Sequence, residues 1–219
     1  MNHGASDSES VKSAGGINPR LQVFSRGWPD QAPDTVCGWG SSEPHTQLVR
    51  KELVAILGRY GVTTMNDAGC GDLAWMSTID LGRVDYVGYD VHERHTWPEL
   101  RRDGYRLEVV DITTDSLRPA DLLICRDVFI HLPNEMIQRA LTQFRASARY
   151  LLTTSYVSDP SVERGAFRND DRLEAPSLLH AKLDLRLPPF GLGEPLERIP
   201  EDSPNKYLGL WDLRGEPGS

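Results

Sequence analysis

The stretch Asp67-Ala68-Gly69-Cys70-Gly71-Asp72 decides the fold. It follows the strand-like run Val62-Thr63-Thr64-Met65-Asn66 and leads into a helix predicted near Leu73 to Ile79. Its small residues let the backbone turn sharply and come close to a ligand. Strand, glycine turn and helix read as the first β-α unit of an α/β domain. On the upstream side, Ser41, Ser42 and Pro44 supply helix-start chemistry. Val49, Leu53, Ile56, Leu57 and Tyr60 then recur at helical spacing, and Gly61 ends the helix.

The alternation continues downstream. Asp85-Tyr86-Val87-Gly88-Tyr89-Asp90 reads as a second strand, the polar stretch His92 to Asp103 as a place for a helix, and Tyr105 to Val110 as a third strand. Ala120 introduces the apolar fourth strand, Leu122-Leu123-Ile124-Cys125. Pro133 opens a helix whose buried face is Ile137, Leu141, Phe144 and Ala148. Tyr150 to Tyr156 is a fifth strand rich in β-formers. Strands alternating with helices imply a mostly parallel sheet with right-handed crossovers. After Ser158 the sequence turns charged and Pro-rich as far as Pro189. The runs Leu196 to Ile199 and Tyr207 to Asp212 then close the chain with no helix between them, so they pair antiparallel.

Size and composition fit a single globular domain: 219 residues, 39% hydrophobic and 26% charged. The expected division is a flexible tail over 1–20, an entry or lid segment over 21–45, and one domain over 46–215. No apolar run approaches the ~20 residues that span a bilayer. Met1 to Gly16 lacks the apolar region of a signal peptide, so a cytoplasmic protein without membrane contact is expected. Cys37, Cys70 and Cys125 have no Cys-x-x-Cys spacing, which argues against a disulfide framework and a zinc cluster. His92 and His95 lack a partner set, and no metal is assigned. The net charge of −8, with no dense basic run beyond Arg101-Arg102, disfavours a nucleic-acid partner.

Two ligand classes compete for the glycine turn. Gly69-Cys70-Gly71-Asp72-Leu73-Ala74 fits Gly-x-Gly-x-x-Ala, and Asp90 follows Gly71 by 19 residues at the end of the next strand. That pattern also serves dinucleotides, whose pyrophosphate docks on a helix N-terminus. Here Asp67 and Asp72 flank the turn, and carboxylates repel a pyrophosphate. They would favour the sulfonium and ammonium of S-adenosylmethionine.

Over about residues 45 to 215 the sequence resembles the class I methyltransferases that use S-adenosylmethionine. The resemblance rests on Asp67 to Asp72, on Tyr89-Asp90-Val91, on Asp111-Ile112, and on Asp121 through Arg126-Asp127 to His131-Leu132. It implies a Rossmann-like three-layer α/β fold whose sheet of about seven strands ends in an antiparallel C-terminal strand. It also implies that Asp67 and the backbone at Gly69, Cys70 and Gly71 hold the methionine end. Asp90, with Val91 beside it, would hold the ribose hydroxyls. Asp111 would take the adenine amine, the Ile112 backbone the ring, and Arg126 would line the site. The sequence departs from the common family pattern at Asp72-Leu73, where a third glycine often sits.

Substrate contact is expected from Asp127 and His131, four apart beyond the fourth strand, where open α/β sheets place ligands. Either would take a proton from the acceptor, His131 because imidazole titrates near neutrality. The competing reading is that His131 caps or packs under the helix at Pro133, with alignment alone carrying the transfer. Trp75 reads first as core. Gly38 to Ser42 suits a lid or a plain capping turn, and Phe167 to Arg172 suits a substrate loop or a solvated charged loop. The expected activity is methyl transfer to an oxygen or nitrogen of a small polar molecule, such as a sugar or natural-product intermediate. The rivals are an NAD-dependent oxidoreductase, a methyltransferase acting on RNA or protein, and an inactive partner-binding subunit of the same fold.

Overall fold

A computed structural model describes residues 17–25, 27–28, 32–158, 169, 173–201, 203 and 205–215. The chain runs through α1 (Glu43–Arg59), β1 (Thr64–Ala68), β2 (Asp85–Asp90), α2 (Trp97–Arg102), β3 (Arg106–Val109) and β4 (Ala120–Cys125). It continues through α3 (Asn134–Ser147), β5 (Ala148–Tyr156), β6 (Glu197–Pro200) and β7 (Lys206–Asp212).

Apolar side chains on both faces of the central strands make the sheet a buried middle layer. Leu122, Leu123, Ile124 and Cys125 are all fully buried. Leu122 and Ile124 join the core that contains the α1 stripe Val49, Leu53, Ile56 and Leu57. Leu123 and Cys125 join the opposite core, which contains Met136, Ile137, Ala140, Leu141 and Phe144 of α3. Period-two alternation thus serves two helical layers at once. Each large side chain in those stripes contributes roughly 1.5–3 kcal/mol by leaving water. At the start of α1 the Glu43 N–H donates to the Asp34 carboxylate at 2.6 Å, which satisfies one of the open donors of the first turn.

The strand order is β3-β2-β1-β4-β5-β7-β6. The first five strands pair in parallel, and β7 lies between β5 and β6, antiparallel to both. The seven-stranded, three-layer arrangement is the one expected. From β1 the chain winds outward to β2 and β3, then returns to β4 and winds the other way. The crevice beyond the carboxyl ends of β1 and β4 is therefore the topological switch point, the usual ligand site of such sheets.

Two local expectations are corrected. The helix expected at Leu73 to Ile79 is replaced by a single 3₁₀ turn, Met76–Thr78. Leu73 takes a left-handed φ of 58°, and the Asp72 carboxylate holds the Ala74 N–H at 3.2 Å, so the segment leaves the glycine turn in a conformation that a helix cannot continue. Ala148, expected on the buried face of the last helix, is instead the first residue of β5, because φ −135° and ψ 153° end α3 there. Met1 to Gly16 lies outside the described residues, as does all of Phe167 to Arg172 except Asn169. Asn169 is buried and pairs with the Asp184 backbone in both directions, at 2.9 and 3.0 Å. Among the described residues no helix is long and apolar enough to cross a membrane.

Candidate active site

The glycine turn is compressed between two neighbours, which explains its composition. The Gly69 and Cys70 N–H groups both donate to the Tyr89 carbonyl, at 2.7 and 3.0 Å, and fold the turn across the end of β2. Gly69 has φ 87° and Gly71 φ 60°. A Cβ on Gly69 would lie 2.2 Å from Val128 Cγ2, and one on Gly71 would lie 2.5 Å from Cys37 Sγ. The turn thus requires glycine for conformation and for space. Asp90, the last residue of β2, accepts from the Gly71 N–H on Oδ2 at 3.0 Å. Its Oδ1 accepts from the His92 N–H at 3.2 Å and from Arg94 Nη2 at 3.1 Å.

A cavity of about 540 Å³ opens at the switch point. Of the sequence-predicted cofactor residues, Gly69, Gly71, Asp90, Val91, Ile112 and Arg126 line it, as do Asp127 and His131. Asp67, Cys70 and Asp111 lie behind the wall rather than in it. Asp67 accepts from the Tyr86 hydroxyl at 2.8 Å, and burial raises its carboxyl pKa to about 7, against the lowering effect of that bond. Cys70 is buried with its thiol pKa pushed well up by desolvation. Asp111 Oδ1 accepts from Thr113 N–H and Oγ1, at 2.9 and 2.6 Å, whereas its buried Oδ2 has no hydrogen-bond partner.

Asp72 also faces away from the cavity. It accepts from Thr35 Oγ1 at 2.9 Å and from the Val36 N–H at 2.8 Å, fastening the entry segment to the turn. The two flanking carboxylates therefore do not line the ligand space, and discrimination between cofactor classes rests on other features. One is the absence of an α-helix after the glycine turn, since a pyrophosphate relies on the N–H groups at a helix start. The other is the antiparallel β7 next to β5.

Beyond β4, buried charges alternate in sign. Arg126 Nε contacts Glu201 Oε1 at 2.7 Å, Lys206 Nζ contacts Glu201 Oε2 and Asp127 Oδ2, each at 3.0 Å, and Arg126 Nη1 lies 3.6 Å from Asp127 Oδ2. Asp127 Oδ1 accepts from Thr154 Oγ1 at 3.0 Å. Burial alone would raise the Asp127 pKa, but Arg126 and Lys206 hold it well below the usual carboxylate range. Burial, with Asp127 close by, raises that of Glu201. His131 is buried, and desolvation lowers its pKa to about 4. Its Nδ1 lies 3.2 Å from the Leu179 carbonyl, which can only accept, so Nδ1 carries the proton and Nε2 the lone pair.

Described residues between 17 and 42 line one part of the cavity. His92 Nε2 donates to the Leu21 carbonyl at 3.1 Å, Arg94 Nη1 to Phe24 at 3.0 Å, and Arg126 Nη1 to Gly40 at 2.7 Å. Trp28 packs on His131 with ring centroids 4.3 Å apart. Trp39 lines the cavity while 54% exposed. Trp75 is core, with the Arg126 guanidinium 6.0 Å from its ring centre. Arg94, Glu201, Lys206, Phe24 and Trp28 were not singled out from sequence. Arg94 had a local signal, four residues after Asp90; the others come from distant segments and had none.

No protein-family model matches the chain, and no curated protein matches its sequence. Solved structures do match it. The N-methyltransferase NodS from Bradyrhizobium japonicum WM9, in complex with S-adenosyl-L-homocysteine, aligns with a TM-score of 0.60 at 14% identity over 84% of this chain and 94% of that one. Magnesium protoporphyrin IX methyltransferase from Synechocystis PCC 6803, with bound S-adenosylhomocysteine, aligns at 0.55 and 19% over 77% and 82%. The chain has the class I methyltransferase fold.

Proposed function

We propose that the protein is an S-adenosylmethionine-dependent methyltransferase acting on an oxygen or nitrogen of a small molecule. The observation that carries this is the cavity at the switch point, bounded by the Gly69–Gly71 turn, by Asp90 and by Ile112. The residues fit the cofactor: Asp90, on the cavity wall at the end of β2, would accept from the ribose hydroxyls, and Ile112 would border the adenine, with Asp111 supporting that wall from behind. Gly69, Gly71 and Arg126 would border the methionine end. Asp67 and Cys70 would support the turn from behind. When bound, the cofactor supplies an electrophilic methyl carbon on a sulfonium, which an acceptor lone pair takes in line as the S–C electrons leave with sulfur.

The chain's own residues then position the acceptor and receive its proton. Burial lowers the His131 pKa to about 4, so the ring is neutral at physiological pH but no longer titrates near neutrality; it is a weaker base than a free imidazole, and Nε2 is the ring nitrogen that would take the proton. Asp127, locked between Lys206 and Thr154, is better suited to fixing the wall than to accepting a proton. The described residues between 17 and 42 that line the cavity narrow it, which supports a small acceptor over a polymer. Isothermal titration with S-adenosylhomocysteine and with NADH tests the reading. Tight NADH binding without a response to S-adenosylhomocysteine would overturn it. Cofactor binding without methyl transfer to any acceptor would favour a partner-binding subunit of the same fold.

A further inference from the structure

The cavity lining also includes Phe24, Trp28, Ile130, His131, Tyr156 and Leu178. The five charged side chains lining the whole cavity are already ion-paired: Asp90 with Arg94, Arg126 with Glu201, and Asp127 with Lys206. A polyhydroxylated acceptor would have to compete with these ion pairs for the charged partners, and unpaired buried polar groups are costly. A cationic acceptor would meet Arg126 and Lys206 with no unengaged carboxylate among the described wall residues.

The wall instead offers ring faces. The Trp28 and His131 rings, 4.3 Å apart, are tilted by 46°, and Phe24 lies 6.0 Å from Trp28 and 6.3 Å from His131, edge-on to the latter. The three tilted rings form a wedge that is closed by their mutual contact, so a further planar ring would meet the cavity side of the cluster in edge or offset contact. The Leu179 carbonyl fixes the His131 ring within this wedge.

We propose that the methyl acceptor is a neutral aromatic ring carrying the nucleophilic hydroxyl or amine, seated against Trp28 with that group toward His131. This replaces the polar acceptor expected from composition, and it rests on the methyltransferase reading. The test uses protein saturated with S-adenosylhomocysteine and titrates 1-naphthol and methyl β-glucoside as probes. The expected result is naphthol binding at least about tenfold tighter than the glucoside, loosened about tenfold by Trp28→Ala and largely restored by Trp28→Phe, with S-adenosylhomocysteine affinity unchanged. Equal binding of the two probes, or naphthol binding indifferent to Trp28→Ala, would overturn the aromatic acceptor and leave the cofactor reading intact. Failure of S-adenosylhomocysteine itself to bind would overturn both, and is read in a separate titration.

Discussion

The Gly71 N–H donates to Asp90 Oδ2 at 3.0 Å, so the acid that ends β2 holds the tip of the glycine turn. The other oxygen of Asp90 meets Arg94, which also holds the carbonyl of Phe24, a residue of the cavity lining. One carboxylate thus connects the turn with that part of the lining. Asp90→Ala is expected to weaken S-adenosylhomocysteine binding by about ten- to a hundredfold, the usual effect of losing hydrogen bonds to a charged group. Asp90→Asn keeps one acceptor oxygen and should lose less. Unchanged affinity in Asp90→Ala, measured by titration calorimetry, would remove Asp90 from the cofactor site.

His131 gives an acid limb in an unusual place. Burial lowers its pKa to about 4, so its neutral form persists far below the ordinary imidazole midpoint of about 6.5. The kcat/KM for methyl transfer should stay flat from neutrality down to about pH 5 and fall with a midpoint near 4. A limb at the ordinary imidazole midpoint would mean that His131 is not the buried proton acceptor. His131→Gln should lower kcat by about a hundredfold or more if proton transfer matters, and only slightly if alignment suffices. Stability follows the same shift. Between the folded and unfolded pKa values the unfolded chain binds more protons. Stability is therefore lost as pH falls through that window, by an amount on the order of 3 kcal/mol.

Lys206 sits between two buried carboxylates, 3.0 Å from each. Replacing it with methionine leaves Asp127 and Glu201 facing one another without that cation. The expected cost is about 3–5 kcal/mol in urea unfolding at neutral pH. The double variant Lys206→Met/Glu201→Gln removes one of the stranded charges and should recover part of that loss. If the single variant unfolds at the wild-type midpoint, the cluster does not hold β7 to the end of β4.

The fold was legible because its signals are local. Leu122 to Cys125 announces a strand buried on both faces, and the closing pair Leu196 to Ile199 and Tyr207 to Asp212 announces an antiparallel end. The helix after the glycine turn was misread because apolar residues at Leu73, Met76 and Ile79 mimic a helical stripe. The left-handed backbone at Leu73, invisible in composition, interrupts it. Gly69, Gly71 and Asp90 were legible as cavity residues because turn chemistry fixes their place at strand ends. The direction of the Asp67 and Asp72 side chains was not legible, since Tyr86 and Thr35, which hold them, come from other segments. The aromatic wedge was hidden for the same reason: Trp28 meets His131 across about a hundred residues of chain.

Asp67 supplies the last prediction, opposite in sign to that for His131. Its carboxyl lies wholly within the protein, against the Tyr86 hydroxyl, with a folded-state pKa of about 7 compared with 3.8 for the free side chain. Between those values the folded chain binds the extra proton. Asp67 therefore costs nothing below the unfolded pKa and destabilises the fold progressively as pH rises through the window, by an amount on the order of 4 kcal/mol at its end. Asp67→Asn keeps a carbonyl oxygen for Tyr86 and cannot ionise. Its stability relative to wild type should rise between pH 4 and about 7, then level off. Because His131 is present in both proteins, the difference between their unfolding curves isolates Asp67. A constant difference across that range would show that Asp67 is ionised throughout, as it would be if a buried cation faced it.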